Sequence, residues 1–111
     1  MARIFISYAR KDGAEAANEL TNRLYALRHQ VFMDVHGIPG GVKWEEELIE
    51  RAAWCDVMLV IVTPASNESK YVYHEVREAE KNNKLIVPIR IGDVSLPNHL
   101  RSYNAYKLVN D

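Results

Sequence analysis

The chain has 111 residues, of which 48% are hydrophobic and 26% charged, with a formal net charge of −1. This length suits one domain with one hydrophobic core, and the near-neutral charge argues against direct binding of nucleic acid or an anionic membrane. The longest apolar run, Val57–Val62, is far shorter than the ~20 residues that span a bilayer. The only cysteine, Cys55, excludes an internal disulfide and is typical of a reducing compartment. We therefore expect one cytoplasmic domain.

The first half of the chain predicts two strands and two helices. Arg3–Ser7 and Gln30–Asp34 are short β-rich runs, and each predicts a strand. Between them, Asp12 is followed three residues later by Glu15, so we expect a helix with Asp12 as its N-cap. The apolar residues that recur at helical spacing behind it are Ala17, Leu20, Leu24 and Leu27. A second helix is predicted over Lys43–Ala53, and its inner face comprises Trp44, Leu48 and Ala52.

The second half predicts three more strands around one helix. Val57–Thr63 is apolar without alternation, which is typical of a strand buried on both faces. Residues 64–69 are predicted to form a polar loop, and Lys70–Asn82 a helix. The inner face of that helix comprises Val72, Val76 and Ala79. Leu85–Ile91 and, more weakly, Ala105–Val109 predict the last two strands. Because strands and helices alternate, we expect an α/β domain with a parallel sheet.

The start of the third helix carries the strongest functional signal. Tyr71 lies one helical turn before Glu75, and residues four apart share a helix face. This helix follows the very apolar strand directly, so both side chains should lie at the carboxyl end of the sheet, where open α/β folds bind their ligands. An acid beside a stacking ring is suited to cleaving a nucleoside bond.

Three stretches of the sequence, in the right order and spacing, resemble the Toll/interleukin-1 receptor (TIR) domain family over nearly the whole chain. They are Phe5-Ile-Ser-Tyr8-Ala-Arg-Lys-Asp12; Val31-Phe-Met-Asp34 with the glycine-rich loop and Trp44 that follow; and Trp54-Cys-Asp56 through Thr63-Pro64, then Ser69 to Glu75. The resemblance is to the bacterial-type, NAD-cleaving branch. It implies a flavodoxin-like sheet of five parallel strands in the order 2-1-3-4-5, flanked by helices. The C-terminal helix of that fold is expected to be absent, so residues 1–111 would be a single TIR domain taken from a longer, multidomain protein.

The resemblance also implies the members of an NAD site. Glu75, four residues after an aromatic ring, matches the catalytic glutamate of the family's NAD-cleaving members. The side chains expected to bind or enclose the substrate are Ser7, Tyr8, Arg10, Trp44, Ser66 and Tyr71. Family members often have tryptophan at the position of Tyr71, and some have a basic residue at the position of Ala9. No metal or cofactor is implied, because NAD⁺ itself is the substrate.

The activity implied is that of an NAD⁺ glycohydrolase, an NADase that releases nicotinamide and ADP-ribose or cyclic ADP-ribose. It would be switched on by self-assembly within an immune or cell-death signalling protein. The partners implied are other TIR domains, in a homo-oligomer or filament. The assembly loop would comprise His36, Gly37, Ile38, Pro39, Gly40 and Gly41.

Several other interpretations remain open from the sequence. The domain could be a non-enzymatic adaptor that acts through TIR–TIR contacts, or a nucleoside-processing enzyme such as a deoxyribosyltransferase. Glu75 could be a solvated helix acid like Glu78 and Glu80, and Trp44 could be a core anchor. Tyr71 could simply cover the sheet edge, Arg10 could be a surface charge, and the loop could be a plain connector.

Overall fold

The computed structural model describes residues 1–33 and 44–108 of the chain. Strands and helices alternate along these residues. The strands are β1 (Arg3–Ser7), β2 (Gln30–Met33), β3 (Val57–Val62), β4 (Leu85–Ile91) and β5 (Tyr106–Leu108). The helices are α1 (Arg10–Ala26), α2 (Trp44–Trp54), α3 (Pro64–Glu68) and α4 (Lys70–Lys81), with a 3₁₀ turn at Asn98–Leu100. None of these helices is both long and apolar enough to cross a bilayer.

The five strands form one parallel sheet in the order β2-β1-β3-β4-β5, which confirms the predicted topology. In register, Ser7 on β1 lies beside Val60 on β3, and Val60 lies beside Pro88 on β4. The chain's path across the sheet reverses between β1 and β3. The carboxyl ends of these two strands therefore flank the crevice in which this type of fold binds ligands.

Helices pack on both faces of the sheet and create two apolar layers. The layer beneath α2 and α4 includes Phe5, Leu48, Val60, Val62, Val76 and Ile86. The layer beneath α1 includes Ile4, Ile6, Ala17 and Ile61. Alternate residues of β1 and β3 enter opposite layers, as the two-residue period of a strand requires. The unalternating apolar sequence of β3 is explained by this burial on both faces.

The prediction for the start and end of α1 was wrong in two respects. The helix begins at Arg10, its N-cap is Ala9, and no side chain caps it. Asp12 is therefore already inside the first turn, where its carboxylate contacts the chain after β3 instead. At the other end, Leu27 is the C-cap and is 68% exposed, so it does not continue the buried stripe of the helix.

The predicted polar loop over residues 64–69 was also wrong, because Pro64–Glu68 forms α3. Thr63 is its N-cap: the Thr63 hydroxyl accepts from the Ser66 amide at 3.1 Å, and the Ser66 hydroxyl accepts from the Thr63 amide at 2.9 Å. Pro64 stands at the first helical position, where its missing N–H is not needed. The reciprocal capping box and this proline explain why so short and polar a segment is helical.

Other boundaries agree closely with the sequence predictions. Strand β4 matches its predicted range, α4 ends one residue earlier than predicted, and β5 is confirmed over Tyr106–Leu108. Leu48 and Ala52 are buried on the inner face of α2, as expected. Asp34 and the predicted assembly loop lie outside the described residues.

Candidate functional site

Glu75 is completely buried at the carboxyl end of the sheet. Both it and Ser7 have no exposed surface. The Ser7 hydroxyl donates to Oε1 of Glu75 across 2.6 Å, although the residues are 68 positions apart in sequence. The bond joins the second turn of α4 to the last residue of β1. A carboxylate is thus placed beside the crevice between β1 and β3.

The packing of α4 explains why Glu75 faces inward. Val72, Val76 and Ala79 are buried against the sheet, as predicted. Glu75 follows Val72 by three residues and precedes Ala79 by four, so it lies on the same helix face. The Ser69 side chain caps the helix by accepting from the Val72 amide at 3.2 Å. The start of α4 and the orientation of its buried face are therefore set by local contacts.

The alternative in which Glu75 is a solvated helix acid is wrong. Glu78 and Glu80 are partly exposed and paired with cations at the surface: Glu78 forms an ion pair with Lys81, and Glu80 forms one with Arg77. Glu75 shares their helix but has no surface. Burying a carboxylate carries a large desolvation cost. Glu75 therefore needs partners inside the protein, whereas Glu78 and Glu80 remain in contact with water.

A second carboxylate, that of Asp12, joins the elements that follow β1 and β3. Asp12 Oδ1 accepts from the Thr63 hydroxyl at 2.6 Å, and Asp12 Oδ2 accepts from the Ala65 amide at 3.0 Å. These bonds tie the first turn of α1 to the start of α3. They explain the position of Asp12 better than a capping role does, and they hold the carboxyl end of β3 against the element that follows β1.

The other predicted substrate-binding residues differ in exposure. Tyr8 is buried directly after β1, whereas Arg10, the first residue of α1, is exposed. Tyr71 is 42% exposed one turn before Glu75. Trp44 begins α2, but its side chain lies outside what the structure describes. Their contacts with a substrate stay predictions.

Ser66 is placed close to the crevice but is already engaged. Its hydroxyl accepts from the Thr63 amide and donates to the Thr63 carbonyl at 3.0 Å, and the residue is buried. The structure therefore gives Ser66 a role in capping α3. A direct bond to substrate would require this cap to open, and the predicted binding role of Ser66 stays a prediction.

A polar cluster on the outer side of α4 was not found from the sequence. The Tyr103 hydroxyl donates to Oε2 of Glu80 at 2.5 Å, and the ring of His99 meets the ring of Tyr73 edge-on with centroids 5.1 Å apart. Desolvation, followed by the bond to Glu80, raises the pKa of Tyr103 to about 12. Desolvation lowers the pKa of His99. These contacts hold the segment around the 3₁₀ turn against α4. No local sequence pattern predicts them.

Two further observations concern the cysteine and metal binding. Cys55 is buried, and desolvation raises the pKa of its thiol, which opposes a nucleophilic role. Over residues 1–33 and 44–108, no group of three or more His, Cys, Asp or Glu side chains could hold a metal ion.

A groove of about 290 Å³ runs along the surface between α2 and α4. Its lining comprises Glu45, Leu48, Ile49, His74, Arg77, Glu78 and Lys81. His74 precedes Glu75 in sequence but faces this groove, whereas Glu75 faces the sheet. The groove is therefore separate from the buried carboxylate.

Comparison with known proteins identifies the family. A family model described as TIR domain matches residues 4–111. The chain belongs to the TIR domain family. A comparison with curated protein sequences found no significant match.

Solved structures show the same fold at low sequence identity. The TIR domain of the Toll-related receptor TRR-2 from Hydra magnipapillata is 16% identical, with a TM-score of 0.80 over 96% of this chain and 84% of that one. The CMP N-glycosidase BcmB from Clostridium botulinum is 13% identical, with a TM-score of 0.71 over 97% and 88%. The TIR domains of the activated Roq1 resistosome, which directly recognises the pathogen effector XopQ, are 21% identical, with a TM-score of 0.69 over 86% and 60%.

Proposed function

We propose that this TIR domain is an NAD⁺ glycohydrolase that cleaves the nicotinamide–ribose bond and uses Glu75 as its catalytic carboxylate. The products would be nicotinamide and ADP-ribose or cyclic ADP-ribose, with NAD⁺ as the substrate and no further cofactor. The observation that carries the proposal is the completely buried Glu75 carboxylate, held by Ser7 at the carboxyl end of β1.

The chemistry of NAD⁺ explains why one fixed carboxylate is useful. Nicotinamide is already cationic in NAD⁺, so its departure needs no general acid. Positive charge instead develops on the ribose as the bond stretches. A preorganised carboxylate in a water-poor site stabilises that charge more in the transition state than in the ground state. Loss of one such group costs on the order of 100-fold in rate.

The neighbouring side chains support the same reaction. Tyr71, partly exposed one turn before Glu75, could stack on a flat base, as could Trp44. Arg10 is exposed at the start of α1, where its guanidinium could pair with a phosphate oxygen. Tyr8, which follows Ser7, would form part of the wall.

The burial of Glu75 bears on how the enzyme is activated. Neither Glu75 nor Ser7 has exposed surface, so a substrate reaches the carboxylate only after the wall of the crevice moves. A closed site in the single domain agrees with activation by self-assembly, in which a neighbouring TIR domain rearranges or completes that wall. We infer that the active form is a homo-oligomer or filament built through the loop at residues 36–41.

Two structural neighbours are consistent with this activity. One is named as a CMP N-glycosidase, so a closely similar sheet carries N-glycosidic chemistry in that protein. Another is an activated resistosome with TIR domains. Together they favour a signalling domain of innate immunity that acts by cleaving a nucleoside bond when assembled.

The second candidate is a non-enzymatic interaction module. TIR domains in general associate with one another, and the neighbour from a Toll-related receptor favours a role in recruitment. In this alternative the Ser7–Glu75 bond would only tie α4 to β1. The two candidates differ in what Glu75→Gln does, because glutamine preserves the size of the side chain and removes its charge.

The test is nicotinamide release from NAD⁺ by the purified domain, alone and fused to a soluble oligomeric protein that clusters it. We expect release from the clustered form and a loss of about 100-fold or more in Glu75→Gln. Glu78→Gln is the matched control, since Glu78 lies one turn further along the same helix, where it pairs with Lys81 outside the site. Absence of release from the clustered, folded domain would reject the enzyme and favour the interaction module.

A further inference from the structure

We propose that Ser7 is a positioning residue for Glu75 rather than a substrate contact. Its hydroxyl would keep the carboxylate ionised and aimed at the reacting ribose. This inference rests on the proposed NAD-cleaving function. It departs from the sequence-based prediction that Ser7 binds substrate. Loss of a positioning residue lowers kcat, whereas loss of a substrate contact raises KM.

The Ser7 hydroxyl donates its proton to Glu75. A serine hydroxyl has one proton to donate, and in this structure that proton is directed at Oε1 of Glu75 across 2.6 Å. Ser7 also has no exposed surface. A substrate that took this proton would leave a buried carboxylate without its serine donor, which would disfavour the charged form.

The position of the donor is rigid. Ser7 ends β1 in register with Val60 on the central strand β3. The bonds of Asp12 to Thr63 and Ala65 connect α1, which follows β1, to the start of α3, which follows β3. Because the ends of β1 and β3 are anchored, the Ser7 hydroxyl can hold Oε1 of Glu75 in place while other parts of the crevice wall move to admit substrate. Such an arrangement requires little reorganisation as charge develops on the substrate.

The length of the bond is compatible with a charged acceptor, which is the state that the proposal requires. Bonds from a hydroxyl to a carboxylate are typically 2.5–2.7 Å, shorter than bonds between neutral hydroxyls, and about twice as strong as neutral ones. The observed 2.6 Å lies in that range. A hydrogen bond to the charged form favours that form, whereas burial opposes it. Ser7 therefore offsets part of the tendency of a buried glutamate to take up a proton.

The kinetic consequence separates positioning from substrate binding. In Ser7→Ala, Glu75 would take up a proton at a higher pH and would be less well oriented. The value of kcat would fall by about 10- to 100-fold, by analogy with the loss of groups that orient metal ligands. The acid limb of the pH–rate profile would move to higher pH, and KM would change little because Ser7 does not touch the substrate.

The experiment compares Ser7→Ala, Ser7→Thr and Thr21→Val with the wild type, all in the clustered form. Ser7→Thr retains the hydroxyl and is expected to restore the pH profile. Thr21→Val removes another buried hydroxyl, which donates to the Ala17 carbonyl on α1 at 2.8 Å, and is expected to leave kcat and the profile unchanged. If Ser7→Ala does not fold, Ser7→Cys replaces it, since a thiol is similar in size and a weaker donor.

A second readout does not depend on activity. Carbon-13 NMR of labelled glutamate side chains follows proton uptake by Glu75, assigned with Glu75→Gln. Proton uptake by Glu75 at a higher pH in Ser7→Ala, reversed in Ser7→Thr, would support the role of Ser7 in positioning Glu75. If the clustered wild type releases no nicotinamide, the NAD-cleaving function is rejected, but this result for Ser7 still stands. Unchanged uptake, or a rise in KM at constant kcat, would overturn the role proposed for Ser7.

Discussion

The side chains of Asp12 and Thr63 meet at 2.6 Å, 51 positions apart in sequence, where the first turn of α1 faces the end of β3. The second oxygen of Asp12 accepts from the Ala65 amide. One carboxylate therefore joins the elements that follow β1 and β3. Since the candidate site lies at the carboxyl ends of these strands, the bond connects the elements that border it.

We predict that Asp12→Ala lowers the free energy of unfolding by about 1–3 kcal/mol, because it leaves the hydroxyl of the buried Thr63 without its acceptor. Thr63→Val should cost a similar amount and also removes the acceptor for the Ser66 amide. Because the two residues share a bond, the double variant should cost less than the sum of the single variants. Urea denaturation measures all three.

Glu15→Gln is the control for this cycle, since Glu15 is an exposed acid one turn further along α1. Its effect should stay within about 0.5 kcal/mol. Strict additivity of Asp12→Ala and Thr63→Val would contradict an energetic coupling between the two side chains.

Asp12 also shows why the sequence predicted the fold better than the site. An acid ahead of an apolar periodic run is typical of an N-cap, and the helix behind it was found. The true partner, Thr63, lies across the crevice, and no local pattern can show such a contact. The order of the strands, in contrast, followed from the alternation of elements and the family resemblance.

The candidate site was predictable in position but not in its contacts. The position of the helix soon after the apolar strand predicted Glu75 at the carboxyl end of the sheet, and its bond to Ser7 at the end of β1 agrees with that position. That Glu75 is bonded to Ser7 and has no surface depends on how α4 packs over β1. In α3, by contrast, the sequence Thr63-Pro64-Ala65-Ser66 did contain a helix-start signal, namely an N-cap residue followed by proline.

Cys55 should be protected from alkylation in the folded protein. Its side chain is completely buried, and desolvation raises the pKa of the thiol, so both access and thiolate content are reduced. We expect labelling by iodoacetamide at neutral pH to be at least about 100-fold slower than in the urea-unfolded chain, since unfolding limits access. Labelling followed by mass spectrometry measures this. Native labelling at the unfolded rate would contradict the burial.

The phenol of Tyr103 should lose its proton late in an alkaline titration. Burial and the hydrogen bond to Glu80 raise its pKa to about 12, against about 10 in an unfolded chain. The folded state therefore retains a proton that the unfolded state releases, and the stability it contributes below pH 10 is lost as the pH rises towards 12. The phenolate absorbance of the wild type minus that of Tyr103→Phe isolates this group. A difference midpoint near 10 would contradict the bond to Glu80.

His99 should make the folded domain less stable in mild acid. Its ring meets Tyr73 edge-on, and desolvation lowers its pKa. Among the charged groups near it, Glu80 acts in the opposite direction and Arg77 acts in the same direction as burial. The unfolded state, in which histidine has a pKa near 6.5, therefore binds the proton more readily than the folded state.

It follows that the stability linked to His99 is present above about pH 6.5 and is lost as the pH falls below it. We predict that the free energy of unfolding declines less steeply between about pH 7.5 and 5 in His99→Gln than in the wild type, because glutamine does not titrate. Urea denaturation at a series of pH values gives each slope, and an equal decline in wild type and His99→Gln would show that His99 does not resist protonation in the folded state.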